Sequence, residues 1–361
     1  MEPYASNKAS LHLNQLVQLR ENKQPYPVHV QLIVSDYCNQ DCSFCAYRMS
    51  GYSSNELFKI IDDNGKVNNN PRRMIPWPKL QEVVEDCAKM GVRAIQITGG
   101  GEPTLHPNFN ELCEMILSKN IDLALVSNGL LLNQKRADII ARATWTRISV
   151  DVGTPETYSG IRNVPKQEFG IVEKNVRYLT SIPNRRATVG IGFVVTKENY
   201  KEIAQAMRQF KAWGVDNVRL SAVFQNDEER FYDGIHDEIV EQIETISYLN
   251  DDKFRVFNNF NSRYADLEQG TPDYQRCGYI SFTTYIGGDQ HVYTCCVNAY
   301  NKKGQIGSIK EMGFKDLWDS QHKQEFFSDF DARNCTRCMF NDKNRAINQL
   351  LAEPQSHDNF V

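Results

Sequence analysis

Tyr37-Cys38-Asn39-Gln40-Asp41-Cys42-Ser43-Phe44-Cys45 directly follows the apolar run Val28-His29-Val30-Gln31-Leu32-Ile33-Val34. Three residues separate the first two thiols and two separate the second pair. With 10 cysteines in 361 residues, only about 0.008 triads of this spacing are expected by chance. Three thiolates on one tight loop can hold three irons of a 4Fe-4S cube, leaving the fourth iron without a protein ligand and open to another molecule. An open iron is a reaction site. A zinc knuckle and buried structural thiols are the alternatives; zinc requires a fourth ligand close in space, and His29 is the only histidine near in sequence.

The loop resembles the hallmark of the radical S-adenosylmethionine (SAM) enzymes, Cys-x3-Cys-x2-Cys at the end of the first barrel strand, often with an aromatic residue before the last cysteine. Phe44 stands in that place. The resemblance implies that Cys38, Cys42 and Cys45 ligate a 4Fe-4S cluster whose open iron chelates the amino and carboxylate groups of SAM. It also implies that an electron from the cluster splits SAM into methionine and a deoxyadenosyl radical, which takes a hydrogen atom from substrate. An external donor such as flavodoxin or ferredoxin would supply that electron.

Downstream segments repeat a strand, turn and helix pattern. Val92-Arg93-Ala94-Ile95-Gln96-Ile97-Thr98 reads as a strand running into Gly99-Gly100-Gly101-Glu102-Pro103, where glycines let the backbone approach a neighbour closely. Beside the cysteine loop, this stretch looks like the family's Gly-Gly-Glu motif, so Gly100, Gly101 and Glu102 are the positions expected to meet the SAM amino group. Leu123-Ala124-Leu125-Val126 ends in Ser127-Asn128-Gly129, and Arg147-Ile148-Ser149-Val150 continues into Asp151. Polar residues at strand ends are commonly turn formers or caps. The resemblance adds ribose and carboxylate contacts as the expected role of Ser127, Asn128, Ser149 and Asp151.

Apolar periodicity predicts helices at 78–90 and 109–117, with Cys87 and Cys113 on their core faces. Further helices are expected at 136–143, 170–182 and 200–213, and strands at 148–152, 187–195 and 218–223. Counting from Val28, this makes six strands alternating with helices, hence a parallel sheet with right-handed crossovers and active groups at the carboxyl ends. The expected fold is α/β, a partial (β/α)6 TIM-like barrel with a small C-terminal auxiliary-cluster domain containing a β-hairpin. Residues 50–76 read as a polar excursion, either a binding loop or a solvated insertion, and Tyr47 and Arg48 either line a pocket or pack at the surface.

The repeat stops after Phe224, with a helix expected at 238–249 and irregular chain at 251–272. Five of the cysteines then gather at Cys277, Cys295, Cys296, Cys335 and Cys338. A hairpin turning at Gly287-Gly288 would bring Cys277 and Cys295 together, with Cys335 and Cys338 closing a tetrad. The arrangement looks like the twitch domain, the shortened relative of the SPASM domain, and implies one auxiliary 4Fe-4S cluster on Cys277, Cys295, Cys335 and Cys338. Cys296 is the alternative to Cys295, and structural zinc on the same thiolates is the alternative metal. The expected organisation is an N-terminal extension (1–27), the barrel (28–225), a linker with a helix (226–275), the auxiliary-cluster domain (276–345) and a tail (346–361).

A formal charge of −4, from 41 basic and 45 acidic residues, shows no global bias toward nucleic acid. No apolar run reaches membrane-spanning length and no signal pattern opens the chain, so a cytoplasmic, reducing setting is expected. The barrel defines how a radical is made and says little about where it lands. A small-molecule substrate undergoing dehydrogenation or rearrangement is the first expectation, because relatives with one all-cysteine auxiliary cluster include aminocyclitol dehydrogenases. No general acid or base is singled out. A ribosomal peptide, or a decorated base in a polynucleotide, is the alternative substrate. A zinc-stabilised binding protein is the non-enzyme alternative, and it leaves the Gly-Gly-Gly-Glu and Ser-Asn-Gly strand ends unexplained.

Overall fold

The protein was analysed as a computed structural model that describes residues 4–48, 55–224 and 230–353. Twelve strands are present among the described residues: β1 (His29–Ile33), β2 (Ile60–Ile61), β3 (Val67–Asn68), β4 (Ala94–Thr98), β5 (Asp122–Ser127), β6 (Trp145–Ser149), β7 (Thr188–Val195), β8 (Asn217–Ala222), β9 (Arg255–Asn259), β10 (Thr283–Ile286), β11 (His291–Tyr293) and β12 (Gln305–Ser308). Ten of them form one sheet in the order β12-β11-β10-β1-β4-β5-β6-β7-β8-β9. From β10 to β9 every neighbouring pair is parallel, which leaves an open barrel rather than a closed one.

The helices are α1 (Leu13–Arg20), α2 (Trp77–Met90), α3 (Phe109–Ser118), α4 (Gln134–Ile140), α5 (Pro155–Arg162), α6 (Gln167–Ser181), α7 (Ile203–Ala212), α8 (His236–Thr245), α9 (Phe260–Gln269), α10 (Phe314–Asp319), α11 (Gln321–Asp329) and α12 (Asn341–Leu351). In α2 the predicted face is buried: Leu80, Val83, Val84, Cys87 and Met90 all lie in the core, and Gly91 at φ 73° ends the helix in the left-handed conformation. Cys113 of α3 is likewise fully buried. Alternate strand residues, including Val30, Leu32, Ile95, Ile97, Leu123, Leu125, Ile148, Ile191, Val218 and Leu220, join this core beneath the helices. The intervening residues Gln31, Gln96, Arg147, Ser149, Arg219 and Ser221 therefore point to the opposite, inner face.

Three features depart from the sequence reading. Residues 251–272, expected to be irregular, contain β9, parallel to β8, and the helix α9. This edge strand has only partly buried and exposed positions, so it lacks the apolar run that marks the central strands. The predicted hairpin is present, with Tyr285 opposite Tyr293 and Ile286 opposite Val292. Its first strand pairs parallel with β1, so the hairpin extends the barrel sheet beside the strand that feeds the cysteine loop. Finally α5, absent from the sequence reading, begins at Pro155 behind the N-cap Thr154 and ends at Asn163 in the left-handed conformation. Among the described residues no helix is long and apolar enough to cross a membrane.

Candidate active site

The loop 34–45 leaves β1 against the turn that leaves β4. Gly101 N donates to Ser35 O at 3.0 Å and Glu102 N to Tyr37 O at 2.9 Å. A Cβ on Gly101 would lie 2.1 Å from Tyr37 O, and one on Gly100 would lie 2.9 Å from an Asp36 carboxylate oxygen. The glycines are required because two strand-end loops touch there.

Glu102, buried at the centre, ties the next strand end to this turn. Its Oε1 accepts from Thr104 N (3.0 Å), Thr104 Oγ1 (2.6 Å) and Ser127 Oγ (2.7 Å), and its Oε2 accepts from Asn128 N (2.8 Å). Asn128 Nδ2 donates in turn to Asn39 Oδ1 of the cysteine loop at 2.8 Å. The structure thus brings Gly100, Gly101, Glu102, Ser127 and Asn128 together beside the cysteines. The Glu102 carboxylate is occupied as a hub of internal hydrogen bonds.

Ser149 and Asp151 reach the same place through Arg162. Its Nη2 donates to Ser149 O at 2.8 Å and pairs with the Asp151 carboxylate. Its Nη1 donates to Gln40 Oε1 at 2.6 Å and approaches Cys42 Sγ at 3.6 Å. Asp151 has φ 63°, and its Oδ1 accepts from Val194 N at 2.7 Å. Burial pushes its carboxyl upward while the neighbouring guanidinium opposes that shift. The buried Arg162 Nε makes no hydrogen bond, so one donor is left for a ligand.

Arg162 was missed because helix α5 was missed. Two further supports are Asn70, which the sequence reading did not single out, and Arg48, which it read as lining a pocket or packing at the surface. Asn70 clasps Cys38, accepting from its N–H and donating to its carbonyl, each at 3.0 Å. Arg48 donates to Asn70 Oδ1 at 2.9 Å, Asn69 O at 3.1 Å and Gln40 O. Arg48 therefore braces the cysteine loop, and the described end of the 50–76 excursion serves the same loop; residues 50–54 lie outside the described residues. Tyr47 is tucked under the hairpin, with its hydroxyl 2.6 Å from that of Tyr285. Phe44 is half-buried against the main core.

Around the second set, Cys277 feels the Cys338 and Cys335 thiols, and Cys295 feels Cys296, Cys277 and Cys335. Cys296 instead neighbours Arg263, Lys343 and Cys338, with its Sγ 3.7 Å from Met339 Sδ. Both adjacent cysteines thus neighbour thiols of the expected tetrad. Donors aim at the sulfurs: Asn298 Nδ2 at Cys335 (3.3 Å), Tyr274 Oη at Cys338 (3.4 Å) and Phe340 N at Cys338 (3.2 Å).

Both sets suit a polynuclear cluster. Burial pushes the Cys38 and Cys277 thiols up to about 12 and Cys42 to about 11, so thiolates here need strong positive charge, which ligated iron supplies. A single zinc ion needs four ligand atoms converging at about 2.3 Å for sulfur.

Comparison with known proteins agrees with this geometry. Residues 32–210 match the Radical SAM superfamily and residues 277–339 match SPASM, an iron-sulfur cluster-binding domain. A Pyrococcus furiosus protein, described as a tungsten-containing aldehyde ferredoxin oxidoreductase cofactor-modifying protein, is 22% identical over 344 residues, covering 87% of this chain and 88% of its own. A Haemophilus influenzae GTP 3',8-cyclase is 26% identical over 217 residues, covering 58% of this chain and 57% of its own. The crystal structure of Streptococcus suis SuiB bound to precursor peptide SuiA superposes with a TM-score of 0.63 at 14% identity, covering 88% of this chain and 71% of that one. With both domains matched, the chain belongs to the radical SAM superfamily, an enzyme family, and carries a C-terminal SPASM domain; the two domains imply 4Fe-4S clusters and SAM binding.

Proposed function

We propose that the chain cleaves SAM reductively and takes a hydrogen atom from a small-molecule substrate, as an oxidoreductase or isomerase carrying out dehydrogenation or rearrangement. Cys38, Cys42 and Cys45 would hold the SAM-binding cluster, and Cys277, Cys295, Cys335 and Cys338 the auxiliary one. When bound, a 4Fe-4S cluster with an open iron supplies the electron that splits SAM and so generates the hydrogen-abstracting radical.

The observation that carries this reading is the hydrogen-bonded chain joining the cysteine loop to three other strand ends: Glu102 to Ser127 and Asn128, Asn128 to Asn39, and Arg162 to Cys42, Ser149 and Asp151. It draws the ends of three further strands against the cysteine loop. Beside it, Ser127, Asn128, Ser149 and Asp151 would contact SAM, and Arg162, paired with Asp151, would hold that strand end against the cysteine loop. Phe44 would hold the apolar side.

A small substrate is favoured because the inner face is covered from the side. The Tyr4 ring packs edge-on against Phe257 of β9 at 5.0 Å, and residues 6–11 lie against α12. The relatives named above are described as acting on a cofactor and on GTP, both small molecules. The peptide bound to SuiB makes a peptide the competing substrate. A flavodoxin or ferredoxin as donor and a reducing, cytoplasmic setting complete the proposal.

The test is anaerobic incubation of reconstituted protein with SAM and dithionite. Deoxyadenosine and methionine should form with the native protein and vanish with Cys42→Ala. Equal deoxyadenosine from Cys42→Ala would remove the loop from the chemistry.

A further inference from the structure

The inner face of the sheet carries positive charge without acids to balance it. Arg147 of β6 and Arg219 of β8 flank β7; Arg147 is in register with Gly190, and Arg219 with Gly192. A Cβ on Gly192 would lie 3.4 Å from Arg147 Cδ, and one on Gly190 would lie 2.5 Å from Asn217 Oδ1. Gly192 leaves room for the Arg147 side chain to lie across β7 toward the strand that carries Arg219, while Asn217 fills the space beside Gly190.

Neither guanidinium has a carboxylate partner among the described residues. Arg147 lies over Trp145 at 5.7 Å and Arg219 over Tyr4 at 6.0 Å. The Arg219 Nε is buried and makes no hydrogen bond. The nearest acid, Asp151, is committed to Arg162, and Arg263 is committed to Asp266 at 3.0 Å. Lys343 of α12 adds another charge, lying over Tyr279 and Phe340. Burial and the like charge of Arg147 lower Arg219 against the opposing pull of Asp151, and burial with the like charge of Arg263 lowers Lys343 to about 8. Partly buried cations that repel one another destabilise a fold unless something anionic joins them.

We propose that Arg147 and Arg219 bind an anionic group of the substrate, a phosphate or a carboxylate, on the inner face of the sheet. The planar fork of arginine suits either group, which accepts two parallel hydrogen bonds. Arg147 lies two residues before Ser149 on the same face of β6, about 7 Å deeper along the strand. A substrate anchored there would sit beneath the strand ends, with its uncharged portion toward SAM. This inference rests on the function proposed above and adds the charge class of the substrate to it.

The test uses anaerobically reconstituted protein at low ionic strength with SAM present. Melting is followed with inorganic phosphate, pyrophosphate, succinate or uncharged inositol. The native protein should melt about 3 °C higher with a phosphate-class or a carboxylate-class anion and show no rise with inositol. The responding class names the group. Arg219→Gln and Arg147→Gln should lose that rise, and Arg219→Lys should keep part of it. Without anion, Arg219→Gln should melt above the native protein because a repulsion has been removed. No rise with any anion in the native protein, or a rise kept in full by both Gln variants, would overturn the inference. Deoxyadenosine formation from the same native sample separates the two levels. Its absence would sink the proposed function, whereas SAM cleavage without an anion response would sink the anion site alone.

Discussion

Glu102 offers the sharpest stability test of the site. Its carboxylate accepts from two backbone amides, Thr104 N and Asn128 N, and two hydroxyls, Thr104 Oγ1 and Ser127 Oγ. In Glu102→Ala the hydroxyls can rotate to other acceptors, but the amides are fixed by the backbone. Each buried donor left unmade costs about 1–3 kcal/mol, so the variant should lose about 2–6 kcal/mol before any cavity cost. In Glu102→Gln one oxygen keeps the Thr104 and Ser127 contacts while the amide nitrogen faces Asn128 N, donor to donor, at a cost of about 1–3 kcal/mol. Anaerobic urea unfolding of the reconstituted native protein and both variants measures these losses. SAM affinity should fall in the same order, since Asn128 is also the link to Asn39. Native-like unfolding of Glu102→Ala would refute the hub, and the opposite order of the two variants would refute the donor-to-donor argument.

Two further outcomes follow from buried charges. Arg162→Ala should cost about 3–5 kcal/mol at pH 8 by leaving Asp151 buried without its cation. That loss should shrink in acid as the Asp151 carboxyl protonates, which unfolding at pH 5 and 8 would reveal. Lys323, buried over Trp318 and Phe327 at 4.6 and 4.4 Å, is held down at about 8 by burial. Because its folded pKa lies below the unfolded value of about 10.4, charging it opposes folding fully below pH 8, and that penalty disappears as pH rises to about 10.4. Lys323→Met should therefore be more stable than native by at most about 3 kcal/mol at pH 7, with the advantage fading by pH 10 in urea melts. A constant or inverted difference would contradict the burial argument.

The cysteine loop was legible because its ligands are contiguous and their spacing is tight. The strand ends at Gly100, Ser127 and Asp151 were legible because β4, β5 and β6 alternate buried and inward residues between glycine-rich or polar turns. Arg162 was not, since α5 is a short helix with only Tyr158, Ile161 and Arg162 buried, too few for a visible apolar stripe. Asn70 and Arg48 act through backbone atoms of the cysteine loop, and such contacts leave no trace in spacing. The edge strand β9 escaped notice because its polar, half-exposed residues look like loop. The pairing of β10 with β1 is a contact across some 250 residues and no local pattern encodes it. It is also what joins the hairpin between Cys277 and Cys295 to the strand that feeds the cysteine loop.

The account stands most directly on iron, sulfide and zinc counts per chain, after anaerobic reconstitution, in the native protein and in the variant carrying Cys335→Ala with Cys338→Ala. About eight irons and eight sulfides falling to about four of each, with no zinc, is the expected result for two 4Fe-4S clusters on two thiolate sets. About four irons in both proteins, with about one zinc in the native protein alone, would contradict it and make the C-terminal tetrad a structural zinc site.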